Sequence, residues 1–350
     1  MDLAGKRRRV MRVLVVNAGS STLKLRLLGS DDEILADAEL AATQPKVDRR
    51  ALTRALDSPL RDADAIGHRI VHGGGRFRTA HRIDAEVERD LRALCDLAPL
   101  HQAKSLAALD AVSDVLPHLP SVACFDTAFH ATLEPAASTY ALPAEWCERW
   151  GLRRYGFHGL SHAWVARRAP ELLGREGARL RVVSCHLGAG ASLCAIRGGR
   201  SCDTTMGFTP LEGVPMATRS GSFDPGAMLY LLRQGLVDLA ELDNGLEHRA
   251  GIAGLSGGGS GDVRDASPLA LDVFTHRVAA AVGSMAIACQ GVDHLAFTGG
   301  IGEHAADLRE RIVTRVRVLG DFEVSVVPAR EELVIASETT KLLAPAHTFG

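Results

Sequence analysis

Residues 181–226 read RVVSCHLGAGASLCAIRGGRSCDTTMGFTPLEGVPMATRSGSFDPG. The stretch opens as an apolar run, Val182–Leu187, breaks at Gly188-Ala189-Gly190-Ala191-Ser192, and resumes as Leu193–Ile196. Short apolar, β-branched runs around a turn of small residues read as strand, turn, strand. Next come Asp203, the pair Thr204-Thr205, a Gly-Phe-Thr-Pro turn and Arg219 inside Thr218-Arg219-Ser220-Gly221. Glycines, hydroxyls and single charges gathered this way suit the wall of a phosphate-handling cleft. A loop-rich connection between strands would have the same composition.

The pattern has an earlier counterpart. Val13-Leu14-Val15-Val16 is a buried strand by pattern, Asn17-Ala18-Gly19-Ser20-Ser21-Thr22 is a small, hydroxyl-rich turn, and Leu23, Leu25 and Leu27 alternate along a second strand. Backbone N–H groups and hydroxyls in such a turn converge on one spot, which suits phosphate oxygens. A plain hairpin also favours Asn and Gly there. No Gly-Lys-Ser/Thr follows, so the turn is not a Walker A loop. The two hairpins lie about half a chain apart, a spacing that suggests two related halves.

At 350 residues the chain suits two domains. Its 35 glycines exceed the usual share of about 7%, which points to tight turns or close backbone approaches. A net charge of −2 does not imply a nucleic-acid partner, and none is expected. The one basic run, Lys6-Arg7-Arg8-Arg9, reads as a disordered leader over residues 1–10, and translation starting at Met11 would remove it. No uncharged apolar stretch reaches 18 residues, so no membrane span is expected. Seven cysteines without a Cys-x-x-Cys pair read as reduced thiols of a cytoplasmic protein.

Several single residues stand out. Arg69 lies within the short apolar strand after Ala65 and needs a partner or a cleft. Asp126 follows the strand Val122–Phe125, where α/β folds face their ligand; capping the next turn is the alternative. His158 and His162 are four apart and share a helix face by spacing, without the acidic residue of a zinc motif. Leu97–Gln102 reads as a loop leading into a helix from Ala103, and Gly251–Asp262 as a flexible linker. Leu295-Ala296-Phe297 is a strand, and Thr298-Gly299-Gly300-Ile301-Gly302 opens a helix beside whatever binds there. Glu331 and Glu332 start the last helix, either complementing its dipole or with one reaching Mg²⁺ through water.

With these stretches in hand, the chain resembles the acetokinase family. The matching motifs run in order: NAGSSTLK at 17–24, GHRIVHGG at 67–74, FDTAFH at 125–130, RYGFHGLSH at 154–162, CHLGAGAS at 185–192, DTTMGFTPLEG at 203–213, TRSG at 218–221, FTGGIGE at 297–303 and EELVIA at 331–336. The resemblance implies an α/β fold of two duplicated actin-like (ribonuclease H-like) domains around a central interdomain cleft. Over this sequence they would cover 11–150 and 151–342, the chain end packing back on the first and the second binding nucleotide. It implies acetate kinase activity: reversible, direct in-line transfer of the ATP γ-phosphoryl to acetate, giving acetyl phosphate and ADP, with Mg²⁺ or Mn²⁺, in a cytoplasmic homodimer.

Residue by residue, the resemblance places Asn17, Arg69, Asp126, His158 and Arg219 around the transferred phosphoryl group, and assigns catalysis to Arg69, Asp126, His158 and Arg219. Asn17 and Glu331 would serve the metal. Arg69, Val71, Leu100, Phe157 and Pro210 would take the acetate. Ser20, Thr22 and Lys24 match the first phosphate hairpin and His186, Gly188 and Gly190 the second. Asp262, Arg264, Gly299, Gly300 and Ile301 match the adenosine side. The chain departs from the family pattern at Ala189 and Gln102 (each for Asn), Gly261 (for Ser) and His304 (for Asn), mostly on the nucleotide side. It is also shorter by some tens of residues. Propionate or another short carboxylate, a phosphoryl donor other than ATP, and a non-catalytic actin-like nucleotide-binding protein are the alternatives. A dinucleotide dehydrogenase is disfavoured, because no Gly-x-Gly-x-x-Gly follows the first strand.

Overall fold

Val13–Val16, all buried, form the centre of strand β1 (Val13–Ala18). A computed structural model describes residues 11–19, 22–29, 32–41, 48–57, 59–97 and 99–344, the side chains of 96–101 excepted. The leader reading and Ser20 fall outside the described residues. The chain divides into two units, Met1–Ala128 with Arg330–Gly350, and Phe129–Ala329.

In the first unit β1, β2 (Thr22–Leu28) and β3 (Ile34–Ala41) form an antiparallel meander. Strands β4 (Ala65–Ile70), β5 (His81–Arg82) and β6 (Ser121–Phe125) complete a sheet of order β3-β2-β1-β4-β6-β5, with β1, β4 and β6 parallel. Helix α1 (Arg49–Leu56) starts at Asp48, whose carboxylate accepts from Arg50 N at 2.9 Å and Ala51 N at 3.2 Å. Its Leu52 and Leu56, four apart, pack with Ile66 of β4, Leu14 of β1, and Ala108 and Val112 of α3 (Pro99–Val115). Helix α2 (Ala85–Ala93) precedes α3. Here the expectation of a loop up to Gln102 is corrected. Pro99 opens α3, because proline lacks only an N–H that the first helical turn leaves unbonded anyway.

The second unit repeats the design. Strands β7 (Arg181–Leu187), β8 (Ala191–Arg197) and β9 (Arg200–Thr204) form a meander. Strands β10 (His294–Thr298) and β11 (Glu323–Val326) add in parallel on the far side of β7, giving the order β11-β10-β7-β8-β9. Both sheets thus place a parallel strand beside the first strand of a meander. The unit's helices are α4 (Pro135–Ser138), α5 (Ala144–Trp150), α6 (Gly159–Leu173), α7 (Pro225–Arg233), α8 (Leu239–His248), α9 (Gly251–Leu255), α10 (Pro268–Ala288), α11 (Gly299–His304) and α12 (Ala306–Val316).

The glycine-rich segment after Ala250 is likewise not a linker. It begins as α9, whose Ile252 and Ala253 N–H groups donate to Met216 O and Ala217 O, each at 2.9 Å. Gly251 has φ +61, and a Cβ there would meet the Arg219 carbonyl oxygen at 2.6 Å. The glycine therefore serves a close backbone approach rather than flexibility.

Helix α13 (Glu331–Leu343) returns to the first unit. It lies so close to β4 that a Cβ on Gly67 would sit 2.5 Å from Thr339 Oγ1 and 2.6 Å from Ile335 Cγ2. This contact brings the α13 N-terminus to the C-terminal ends of β1 and β4.

Candidate active site

The first unit gathers four polar residues at those strand ends. Arg69 is the fifth residue of β4, and Asp126 directly follows β6, its N–H donating to Ile70 O at 3.0 Å. Arg69 Nε donates to both Asp126 oxygens at 3.1 and 3.2 Å, and NH2 donates to Oδ2 at 2.7 Å. Arg69 NH1 donates to Asn17 Oδ1 at 3.1 Å, while Asn17 Nδ2 donates to Glu331 Oε2 at 3.3 Å. Arg69 NH1 lies 3.6 Å from the same Glu331 oxygen.

The electrostatics follow from burial and pairing. Burial alone would pull the Arg69 guanidinium down, but Asp126 and Glu331 carry it above its ordinary value. Burial pushes the Asp126 carboxyl up, and the Arg69 charge and hydrogen bonds oppose it. With both oxygens accepting from a permanent cation, the pair is ionised at neutral pH. The Asp126 side chain is 2% exposed and that of Arg69 14%, so the anchor is fully buried and the arginine nearly so.

The two acids of the last helix separate cleanly. Glu331 faces Asn17 and Arg69, whereas Glu332 accepts from Arg26 NH1 at 2.5 Å and Arg330 Nε at 2.6 Å. Among the described residues no group of three or more His, Cys, Asp or Glu forms a metal cage. One carboxylate at a helix start instead fits a hard cation that takes its other ligands from phosphate and water. Lys24 lies directly opposite Asn17 in the β1/β2 hairpin, and the turn closes with Gly19 N donating to Thr22 O at 2.8 Å.

A second cluster lies in the other unit around the β7/β8 turn. His158 caps α6 in the left-handed conformation, φ 54 and ψ 23, which is uncommon for a non-glycine residue. Its Nδ1 is 2.9 Å from Ser192 Oγ, and its ring stacks on His186 with centroids 4.3 Å apart. His186 Nδ1 is 2.8 Å from Ser161 Oγ. Gly190 is the last residue of the turn, its carbonyl accepting from Gly188 N at 3.0 Å: a Cβ there would lie 3.2 Å from His158 Nε2 and 3.8 Å from Arg219 NH1. Arg219 is fixed by Glu247 of α8, 3.1 Å from its Nε. Burial pulls the Arg219 guanidinium down and Glu247 opposes this.

The loop carrying Pro210 is pinned by Arg154. Its NH1 donates to the carbonyls of Thr204, Thr205 and Met206 at 3.0, 3.1 and 3.2 Å, and its NH2 to Glu212 Oε1 at 2.7 Å. Tyr140 donates to Glu212 Oε2 at 2.5 Å and accepts from Phe208 N at 2.8 Å. Pro210 O is 3.5 Å from Arg219 NH1.

The remaining singled-out residues distribute as follows. Val71 follows β4, Leu100 lies in the first turn of α3 with its side chain outside the described residues, and Phe157 and Pro210 are buried in the second unit. On the nucleotide-side motifs, a Cβ on Gly188 would lie 3.7 Å from Gly300 N, so the β7/β8 turn adjoins the start of α11. Asp262 accepts from its own neighbour Arg264, at 2.9 Å from both N and Nε. Gln102 clamps a turn: its amide accepts from His72 N at 3.1 Å and donates to His72 O at 3.2 Å. Sequence reading gave no role to Glu247 and Tyr140, which carry no local signal, nor to Glu212, which lies inside the motif at 203–213.

The acetokinase family model matches residues 39–344. Acetate kinase of Bacillus mycoides (strain KBAB4) is 37% identical, covering 95% of this chain and 98% of its own length. Among solved structures, Porphyromonas gingivalis acetate kinase has a TM-score of 0.83 at 32% identity, covering 95% of this chain and all of its own. A propionate kinase from Francisella tularensis has a TM-score of 0.86 at 31% identity, covering 95% and 99%. These likenesses, like the two matched sheets, place the fold in the two-domain actin-like α/β class. The chain belongs to the acetokinase family.

Proposed function

We propose that this chain is an acetate kinase, transferring the γ-phosphoryl group of ATP to acetate and the reverse. The observation that carries the proposal is the Arg69 cluster, a guanidinium anchored by Asp126 and linked through Asn17 to Glu331. Acetate is already ionised at neutral pH, so one of its oxygens attacks phosphorus without a base. The P–O bond to ADP breaks, and the bonding pair leaves on the ADP oxygen. Such a transfer depends on positioning and charge stabilisation. Arg69, His158 and Arg219 supply cations and donors, and Asp126 holds Arg69 in place. Glu331, tied by Asn17, would hold a Mg²⁺, which when bound offsets charge on the phosphates. Backbone N–H groups of the two hairpin turns, Lys24 and the start of α11 serve the nucleotide, with Asp262 and Arg264 on the adenosine side.

Val71, Leu100, Phe157 and Pro210 are assigned to the acetate methyl. The likeness to a propionate kinase supports propionate as a second substrate, since one methylene is worth only about 1–3 kcal/mol. Seven free cysteines fit a reducing cytoplasm, and the exposed Leu229, Tyr230, Leu236 and Leu239 of the second unit fit a homodimer. A coupled assay of acetate, propionate and butyrate against ATP, GTP and pyrophosphate tests the reading. Acyl phosphate formation with acetate and ATP is expected, and none with any pair would reject it.

A further inference from the structure

Ser192 Oγ stands between two imidazoles, 2.9 Å from His158 Nδ1 and 2.9 Å from His162 Nε2. His162 Nδ1 is in turn 2.9 Å from Ser184 Oγ. The result is a chain, His158–Ser192–His162–Ser184, whose last three members are completely buried. A hydroxyl has one hydrogen and two acceptor lone pairs, so Ser192 donates to at most one of the two rings. Burial first, then the neighbouring His130 and His186, hold His162 well below its ordinary value, so it stays neutral with a single N–H.

When the Ser192 hydrogen is spent within the chain, two polarities run through it from end to end. In one, Ser184 donates to His162 Nδ1, His162 Nε2–H donates to Ser192, and Ser192 donates to His158 Nδ1. The His158 hydrogen then sits on Nε2. In the other, every donor is reversed and Nε2 carries a lone pair. Nε2 is the atom facing the hairpin tip, 3.2 Å from the Cβ position of residue 190, with Arg219 NH1 3.8 Å from that point. A phosphoryl oxygen brought to this tip only accepts hydrogen bonds. It is bound by the first polarity and repelled by the second.

We propose that Ser192 is a positioning residue that, with His162 and Ser184, places the His158 hydrogen on Nε2 and leaves Nδ1 as an acceptor, so that Nε2 donates to the transferred phosphoryl group. The inference deepens the reaction proposed above and rests on it. The nitrogen that carries the proton in a histidine is set by the bond its other nitrogen makes, and here that bond comes from the hairpin itself. Ser192 is two residues beyond Gly190, so one short segment both clears the space in front of Nε2 and sets what Nε2 presents. Stacking on His186 fixes the ring plane.

The test is tautomer-sensitive nitrogen NMR on the full chain with ¹⁵N-labelled histidine and inorganic phosphate as the anion, assigning His158 by its loss in His158→Gln. Wild-type protein should show the proton on His158 Nε2 and none on Nδ1; a proton on Nδ1 overturns the proposal without any variant having to fold. Ser192→Ala should give mixed tautomers and a fall in kcat of about tenfold or more, with KM for acetate within about twofold. Ser192→Thr, which keeps the hydroxyl, should recover the tautomer and most of kcat. Unchanged kcat in Ser192→Ala, or no recovery in a folded Ser192→Thr, rejects the proposal. If the wild type forms no acyl phosphate, the reaction fails, yet the tautomer is still read with phosphate alone.

Discussion

Asp126 grips Arg69 with both carboxylate oxygens, taking 3.1 and 3.2 Å bonds from Nε and a 2.7 Å bond from NH2. The aspartate follows β6 and the arginine is the penultimate residue of β4, so two parallel neighbouring strands hold the pair rigidly. The carboxylate thereby fixes where the guanidinium points. Asp126→Asn keeps the shape but offers one acceptor oxygen and no charge. We expect kcat to fall on the order of 100-fold in a folded protein. Asp126→Ala should in addition cost about 1–3 kcal/mol of stability, because the guanidinium loses its charge-assisted bonds to Asp126 and keeps only Asn17 and Glu331. Steady-state kinetics and urea unfolding check both; wild-type turnover in Asp126→Asn would remove Asp126 from the mechanism.

Arg219 is held from α8 by Glu247 and reaches the hairpin tip with NH1. Arg219→Ala should leave acetate binding measurable and nearly abolish turnover. Glu247→Gln keeps a hydrogen-bond acceptor but loosens the arginine, so its kcat should fall less, by about tenfold. Isothermal titration with acetate beside kcat measurements separates the two effects. Equal losses in both variants would mean that Glu247 does more than orient Arg219.

Much of this was legible before the structure, for identifiable reasons. The two hairpins announce themselves because turn chemistry and apolar alternation are local. Arg69 signals a partner because a charge within an apolar strand must have one, and Asp126 stands at the neighbouring strand end. By contrast, β3 is an edge strand whose ILADAELA sequence buries little, so its hydrophobic signal is weak. Glu247 is one acid in the polar run AELDNGLEHR, and only the packing of α8 gives it a role. Gly251, Gly254 and Gly261 defeat the linker reading because composition records small side chains, not the carbonyls they make room for. Ser192 looked like one hydroxyl among several until α6 set His158 and His162 on either side of it.

Two glycines admit a graded steric test. A methyl group at Gly190 would meet His158 Nε2 at 3.2 Å and Cε1 at 3.3 Å, a crowding that a small ring shift relieves. Gly190→Ala should therefore fold with near-normal stability and lose activity. A methyl group at Gly67 would strike Thr339 and Ile335 of α13 at 2.5 and 2.6 Å. Overpacking of this kind costs about 1–3 kcal/mol, and it pushes away the helix that carries Glu331. Gly67→Ala should lose stability and show a higher Mg²⁺ requirement, read from thermal melts and from kcat against Mg²⁺ concentration. A stable Gly67→Ala with unchanged Mg²⁺ dependence would separate α13 from metal binding.

Buried histidines give the protein a pH-dependent stability. His68 is 1% exposed, and among the described residues neither ring nitrogen has a hydrogen-bond partner; burial lowers its pKa to about 4. His130, also buried, is lowered to about 4, with its bond to Phe157 O opposing the shift. These folded-state values lie below the unfolded value of 6.5. Between pH 6.5 and 4 the unfolded chain therefore binds more protons than the native one. Stability is fully present above about pH 6.5 and drains away as pH falls toward 4. Each histidine should account for about 3 kcal/mol across that window. Leucine at position 68 removes one of these protons and an unpaired polar ring together. His68→Leu should be more stable than wild type at pH 5 relative to pH 7, and its stability should fall less steeply with acid. Urea unfolding at a series of pH values checks this, and parallel curves for the two proteins would show that His68 does not titrate on unfolding.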